Sequence, residues 1–378
     1  MKAIIAMDSF KECMTAIEAC QAVASGIKRV FPDCECVLMP VSDGGEGLLH
    51  AFDCEIERLE VTGPLHGMKV MAEIGYLDNR ETAIIESAQA NGLALIPTSM
   101  RDPSKTTTHG VGEMLMHAIK QGCRRVIIGL GGSATNDLGT GMLNAMGVEF
   151  RDKNGVAMVP CGGNLNEVSS IANIEAIAKM CENTEIILAS DVNNPLYGPN
   201  GAAHVYAKQK GASPEMIETL DENARAFSLI VAQALGRDLS STPGAGAAGG
   251  LGYALLSFFN CQFNSGASLV LDTLEFDHHV ADAHLTITGE GRSDAQTLMG
   301  KIPSLIMERA KAKGVKTALL SGKVDNSDTL VDAGFHATES ITPHDMPLEI
   351  ALQTEVAMRN LEEATVRVVS QIASSLQA

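Results

Sequence analysis

Short unbroken apolar runs alternate along this chain with longer segments whose apolar residues recur at helical spacing. Runs near 2–7, 35–41, 125–130, 186–191, 283–288 and 316–321, with a shorter one at 335–338, are predicted strands. An apolar run without polar alternation is what a strand covered on both faces requires, so these belong in parallel sheets. Between the first two lies a predicted helix over 16–31. Cys20, Val23, Ile27 and Val30 form its stripe, and Thr15 and Glu18 stand at capping-box spacing. Further helices are predicted over 111–121, 137–146, 214–235, 302–313 and 347–376, and the Gly/Ala run 244–250 opens another that reaches about Asn260. The pattern changes in between. Segments 57–61, 68–76 and 82–86 are joined by turns too short for a crossover, so they should pair antiparallel, and 151–155 has the composition of a hairpin.

Each apolar run ends in Gly, Asp, Ser or Asn. Counted together, the two ends of the chain supply five parallel strands, the number in a flavodoxin-like sheet. The expected fold class is α/β with two domains. A discontinuous flavodoxin-like parallel-sheet domain spans 1–60 plus 281–378, and a second, mixed α/β domain is inserted over 61–280. Open parallel sheets take ligands beyond the carboxyl ends of their strands, so the polar clusters there are the candidate chemistry.

Composition narrows the choice. The 378 residues carry a net charge of −18, no Trp and 4% aromatics, which excludes a stacked-base nucleic-acid surface and an anionic-membrane surface. Nine Cys scattered singly suggest reduced thiols, and no run is apolar enough to span a membrane, so a cytoplasmic location is expected. A homo-oligomer is compatible with the sequence. An anionic substrate would need a cation and local basic residues to reverse the field of such an acidic protein.

Asp43, Glu46, Asp191 and Asp294 each follow a predicted strand, where a carboxylate can hold a metal, accept a proton or simply cap a turn. Lys11 and Arg292 lie in loops placed to meet an anion. Gly244, Gly246 and Gly249 match G-x-G-x-x-G, but 240–243 is a loop and not the strand that a dinucleotide fingerprint needs. The run either approaches a phosphate through its backbone or allows close packing. No Walker A motif is present. His278 and His279 are loop or surface residues.

The blocks Asp8-Ser9-Phe10-Lys11, Asp43-Gly44-Gly45-Glu46-Gly47, Gly131-Gly132-Ser133-Ala134-Thr135-Asn136-Asp137, Asp191-Val192-Asn193-Asn194-Pro195-Leu196, 244–250, Gly289-Glu290-Gly291-Arg292 with Asp294, and Gly300-Lys301 occur in one order. In these the chain resembles the type-1 glycerate kinases nearly end to end. The resemblance implies ATP-dependent phosphorylation of D-glycerate to 2-phosphoglycerate, with Mg²⁺. On that reading Asp191 is the general base, Lys11 and Arg292 neutralise phosphate or the glycerate carboxylate, and Asp294 with Asp43 and Glu46 holds the metal. The roles of Asp191 and Asp294 are exchangeable. Gly244, Gly246, Gly249, Gly289, Gly291, Ser133 and Asn136 would hold the nucleotide. Met7, Leu138, Ser190 and Met299 stand where the family usually has Pro, Gly, Cys and His. The alternatives are an NAD-dependent oxidoreductase of a small hydroxy acid and a non-catalytic small-acid-binding protein.

Overall fold

The computed structural model describes residues 1–11, 13–42, 44–45 and 47–376; Asp43 and Glu46 lie outside the described residues. The chain forms two compact units, Met1–Asp43 with His50–Phe52 and Ala267–Ala378, and Gly44–Leu49 with Asp53–Gly266.

The first unit is built on a five-stranded parallel sheet. Its spatial order is Glu35–Leu38, Lys2–Met7, Leu285–Gly289, Lys316–Ser321, Ala337–Ser340. Numbered along the chain this is 2-1-3-4-5, the flavodoxin-like order, with its switch point between Lys2–Met7 and Leu285–Gly289. The three inner strands are buried almost throughout, as their unbroken apolar sequences require. Successive side chains leave opposite faces. Ala318 and Leu320 join the core beneath Ala16–Val30 and Thr354–Leu376, whereas Leu319 meets Met307, Leu330 and Phe335 on the other side. The first helix begins at the expected capping box, with the Thr15 hydroxyl accepting from the Glu18 amide and Glu18 accepting from the Thr15 amide.

The second unit centres on a six-stranded sheet, Cys261–Asn264, Glu185–Ala189, Arg125–Gly129, Thr82–Glu86, Lys69–Leu77 and Glu55–Thr62. The first four strands are parallel and the last two add antiparallel, as their short turns dictate. Glu86, Gly129, Ala189 and Asn264 sit level in the register, so four loops leave one edge together. A three-stranded antiparallel sheet contains the hairpin Glu149–Arg151 with Ala157–Met158.

Several boundaries differ from the sequence reading. Glu55–Thr62 pairs within the second unit's sheet although part of it falls before residue 61. Residues 267–280, placed by sequence in the insertion, belong to the first unit, where Arg309 is paired to both Asp272 and Asp277. His278 and His279 lie in the short helix Phe276–Val280. The strand Cys261–Asn264 was not anticipated, because a four-residue edge strand with two polar positions carries no periodic signal. Helix 137–146 starts later, at Thr140, and 347–376 is split into Leu348–Ala351 and Thr354–Leu376.

Gly26 fixes how closely the two long helices of the first unit approach. A Cβ there would lie 2.7 Å from the Glu362 carbonyl oxygen and 2.7 Å from Thr365 Cβ. Overpacking of that kind costs ~1–3 kcal/mol or more. Gly26→Leu should lower the urea midpoint accordingly, and an unchanged midpoint would mean that the helices part without cost.

Candidate active site

In the first unit the loops at the switch point are stitched together. The Asp8 amide donates to the Gly289 carbonyl at 3.0 Å, and the strand pairing brings Met7 opposite Gly289. Lys11 is exposed beyond this edge. Gly289 is a packing glycine: a Cβ would fall 1.7 Å from the Leu320 carbonyl oxygen. Gly291 is uncrowded, with nothing nearer to such a Cβ than Phe10 Cα at 3.9 Å.

Arg292 is largely exposed and shares its charge with Asp325, through Nε at 3.1 Å and Nη2 at 2.9 Å. The hydrogen bond from Lys323, and then that from Arg292, hold the Asp325 carboxyl below its ordinary range. Asp294 caps the turn Ala295–Leu298 by accepting from the Gln296 amide with one oxygen at 2.8 Å. The same side chain also accepts from the Thr297 amide, which closes a capping box. Sequence reasoning gave no role to Glu290, although it ends the central strand. Its Oε1 accepts from the Ser293 and Thr297 hydroxyls at 3.0 and 2.9 Å, and Oε2 lies 3.6 Å from the Lys301 ammonium.

In the second unit the level strand ends carry the remaining candidates. Asp191 is exposed just past Glu185–Ala189. The loop after it is held by Asn194, whose side chain donates to the Asn200 carbonyl and accepts from the Tyr206 hydroxyl at 2.7 Å. Loop 131–137 follows the neighbouring strand. Asp137 is wholly buried and accepts from the Thr108 amide and hydroxyl and from the Gly139 and Gly141 amides, at 2.8 to 3.2 Å. Burial raises its pKa, and these donors oppose the shift. Asp137 is therefore the knot that ties the loop to the start of helix Thr140–Ala145. Leu138 follows with φ +53°, a backbone region that favours glycine.

Ser133 and Asn136 are 7% and 1% exposed. Neither polar atom of the Asn136 amide has a hydrogen-bond partner among the described residues. Lys210 escaped the sequence reading, because Lys-Gln-Lys-Gly reads as a solvated turn. It is 3% exposed, and its ammonium donates to Ser133 Oγ at 3.0 Å and the Thr135 carbonyl at 2.7 Å. Burial pushes its pKa down to about 7, opposed by the charge of Asp137.

The glycine run lies against the same loops. The Gly246 amide is spent on the Asn194 carbonyl, and a Cβ there would stand 2.3 Å from the Pro195 carbonyl oxygen. A Cβ on Gly249 would come within 1.9 Å of the Thr135 carbonyl oxygen, and one on Gly244 within 2.2 Å of the Phe263 ring. These three glycines thus meet protein, which favours the close-packing reading over backbone approach to a phosphate. No strand precedes residue 244, so the arrangement behind the NAD-dependent alternative is not present.

Among the described residues no three His, Cys, Asp or Glu gather closely enough to hold a metal. The nine thiols are free, and burial pushes Cys20 up to about 12. A cavity of about 660 Å³, lined in part by Ile177, Cys181, Phe258 and Phe259, opens at the amino ends of the second unit's strands, away from these loops. No helix among the described residues is long and apolar enough to cross a membrane.

Residues 3–373 match the model of the glycerate kinase family. The chain is 42% identical to a glycerate kinase of Bacillus subtilis over 358 residues, 93% of each chain. It is 43% identical to the glycerate 2-kinase of Escherichia coli K12 over 315 residues, 82% of each. A crystal structure from Salmonella typhimurium LT2, described as a glycerate kinase 2, superposes over 100% of both chains with a TM-score of 0.87 and 38% identity.

The packing of the run yields a test. Gly246→Val should destabilise the protein by about 3 kcal/mol, because a branched side chain meets backbone that cannot yield. A variant with a wild-type thermal melt would return the run to the list of phosphate-binding elements.

Proposed function

Because the chain belongs to the glycerate kinase family, we propose that it transfers the terminal phosphoryl group of ATP to the 2-hydroxyl of D-glycerate, giving 2-phosphoglycerate. The observation that carries this reading is the coextensive likeness to named glycerate kinases. The name of the Escherichia coli relative supports position 2. Nine free thiols and an ATP requirement fit a cytoplasmic location.

Phosphoryl transfer needs positioning and charge neutralisation more than covalent chemistry. Asp191 is the proposed acceptor of the glycerate hydroxyl proton: it is exposed, and the chain just beyond it is fixed by Asn194. Arg292 keeps its Nη1 donors outside the Asp325 pair, and a planar fork suits a carboxylate. Lys11, exposed past the switch point, is proposed to neutralise phosphate.

Asp294 is proposed to help hold Mg²⁺. It is a carboxylate just past the central strand, and Mg²⁺ takes one or two carboxylates alongside phosphate oxygens and water. Asp43 and Glu46 are the other proposed ligands. When bound, the ion would neutralise charge on the phosphates. Excess EDTA should therefore abolish turnover, and full activity in EDTA would remove the metal from the scheme.

ADP formation measured with and without D-glycerate, with the product's phosphate position read by phosphorus and proton NMR, tests the reaction. A 3-phosphorylated product would overturn the regiochemistry, and glycerate-independent ADP formation would overturn the substrate. Asp191→Asn should lower kcat by ~10²-fold or more while ATP affinity stays near wild type. Recovery in excess Mg²⁺ would make Asp191 a metal ligand and leave the proton to another group.

A further inference from the structure

The loop after Arg125–Gly129 carries donors that the protein itself does not satisfy. The Ser133 oxygen accepts from the Lys210 ammonium, which leaves the Ser133 proton as a donor with no acceptor among the described residues. Three residues on, Asn136 is 1% exposed, and neither polar atom of its amide has a partner among the described residues. Just across from it, the Asn91 amide donates to the Thr135 hydroxyl at 3.0 Å. Buried polar groups are paired in more than about nine cases in ten. A loop with two such open donors, backed by a buried cation, has the chemistry of an oxyanion site.

Lysine is almost never fully buried unless paired with an opposite charge. Lys210 touches no carboxylate among the described residues. Its two acceptors are neutral, and the nearest buried anion, Asp137, is already saturated by four donors. Other charged or titratable groups about this turn are Lys208 within it, His204 in the preceding turn, and Arg101, whose backbone packs on Gly211. Of these charges Asp137 alone acts on the ammonium. Among the described residues the Lys210 ammonium therefore meets neutral acceptors and no contacting anion.

We propose that Lys210 is a positioning residue of the phosphotransfer site: by donating to Ser133 Oγ and the Thr135 carbonyl it commits the Ser133 proton and the Asn136 amide to an oxyanion of the substrate, a carboxylate or a phosphoryl group. This rests on the kinase reading above. Lys210 acts through the loop, and the loop residues make the contact. An arriving anion also favours the charged form of a lysine that burial has brought close to neutrality, so binding should draw a proton from solvent.

Calorimetric titration in two buffers of different ionisation enthalpy counts that proton. At about pH 8 glycerate and ADP are both fully ionised, so uptake reports the protein. We expect up to about one proton taken up with D-glycerate if the oxyanion is the carboxylate, or with ADP if it is a phosphoryl group. Lys210→Met, which keeps the length of the side chain and removes its charge, should abolish that uptake and lower kcat/KM by ~100-fold with the melt preserved. Ser133→Ala should weaken kcat/KM without adding to Lys210→Met in the double variant. No uptake with either ligand would overturn the proposal, and that measurement needs only the wild-type protein. So would a folded Lys210→Met variant whose kcat/KM stays within about threefold of wild type. Wild-type turnover that depends on glycerate keeps the kinase reading intact in either event, whereas its absence would sink that reading independently of Lys210.

Discussion

The second unit hangs on a buried carboxylate and a buried ammonium that do not touch. Asp137 gathers Thr108, Gly139 and Gly141 around it, and Lys210 reaches the same loop from Ser133 to Thr135. Each charge lies in a medium that disfavours it, and each is held by neutral groups. The field of Asp137 opposes the desolvation of Lys210 without a direct ion pair. A direct pair would have satisfied both charges and left nothing to recognise a ligand. Separation leaves the Ser133 proton and the Asn136 amide uncommitted among the described residues. The close passage of Gly249 against Thr135 completes the arrangement from the other side, since no side chain fits between them.

Parallel sheet geometry explains why the chemistry collects where it does. Strands that end level in the register release their loops along one edge, and the polar residues needed to stop each strand become neighbours there. The first unit does this at its switch point, where Asp8 and Gly289 share a hydrogen bond and Glu290 organises Ser293, Thr297 and Lys301. Each unit so presents its own polar set on an apolar frame that differs little from strand to strand.

How much of this was legible depended on how local the cause was. The capping box at Thr15, the unbroken strand runs and the antiparallel pairing of Lys69–Leu77 were readable because each is decided within a few residues. The 2-1-3-4-5 order was not readable from strand count alone, because spatial order depends on crossovers whose sides the pattern does not encode. The glycine run shows a different limit. Its spacing reports that something comes close, but not whether that is a phosphate or the Pro195 carbonyl. Lys210 was invisible for a related reason. A lysine between Gln and Gly carries the local signature of solvent, and only the fold over residues 131–137 encloses it. Asp294 was legible as a strand-end carboxylate, yet its cap bond to Gln296 could not be told from a metal role by position.

The net charge of −18 makes the handling of positive charge the remaining constraint. Of the basic groups near the candidate loops, Arg292 is shared with Asp325 and Lys301 faces Glu290, so neither offers its full charge to a ligand. Exposed pairs of this kind are worth little in stability, ~0–1 kcal/mol, and are easily exchanged for a better anion. Lys210 differs: it is buried, contacts no carboxylate among the described residues, and burial pushes its pKa down to about 7, so on the proposed reading an arriving anion changes its charge and not merely its partner. An acidic protein with such a group avoids attracting anions at long range while retaining a strong local response once one is in place, because screening and low dielectric act in opposite directions at the surface and in the interior. On the proposed reading, selectivity for a small oxyanion comes from the geometry of loop 131–137 and not from the overall field.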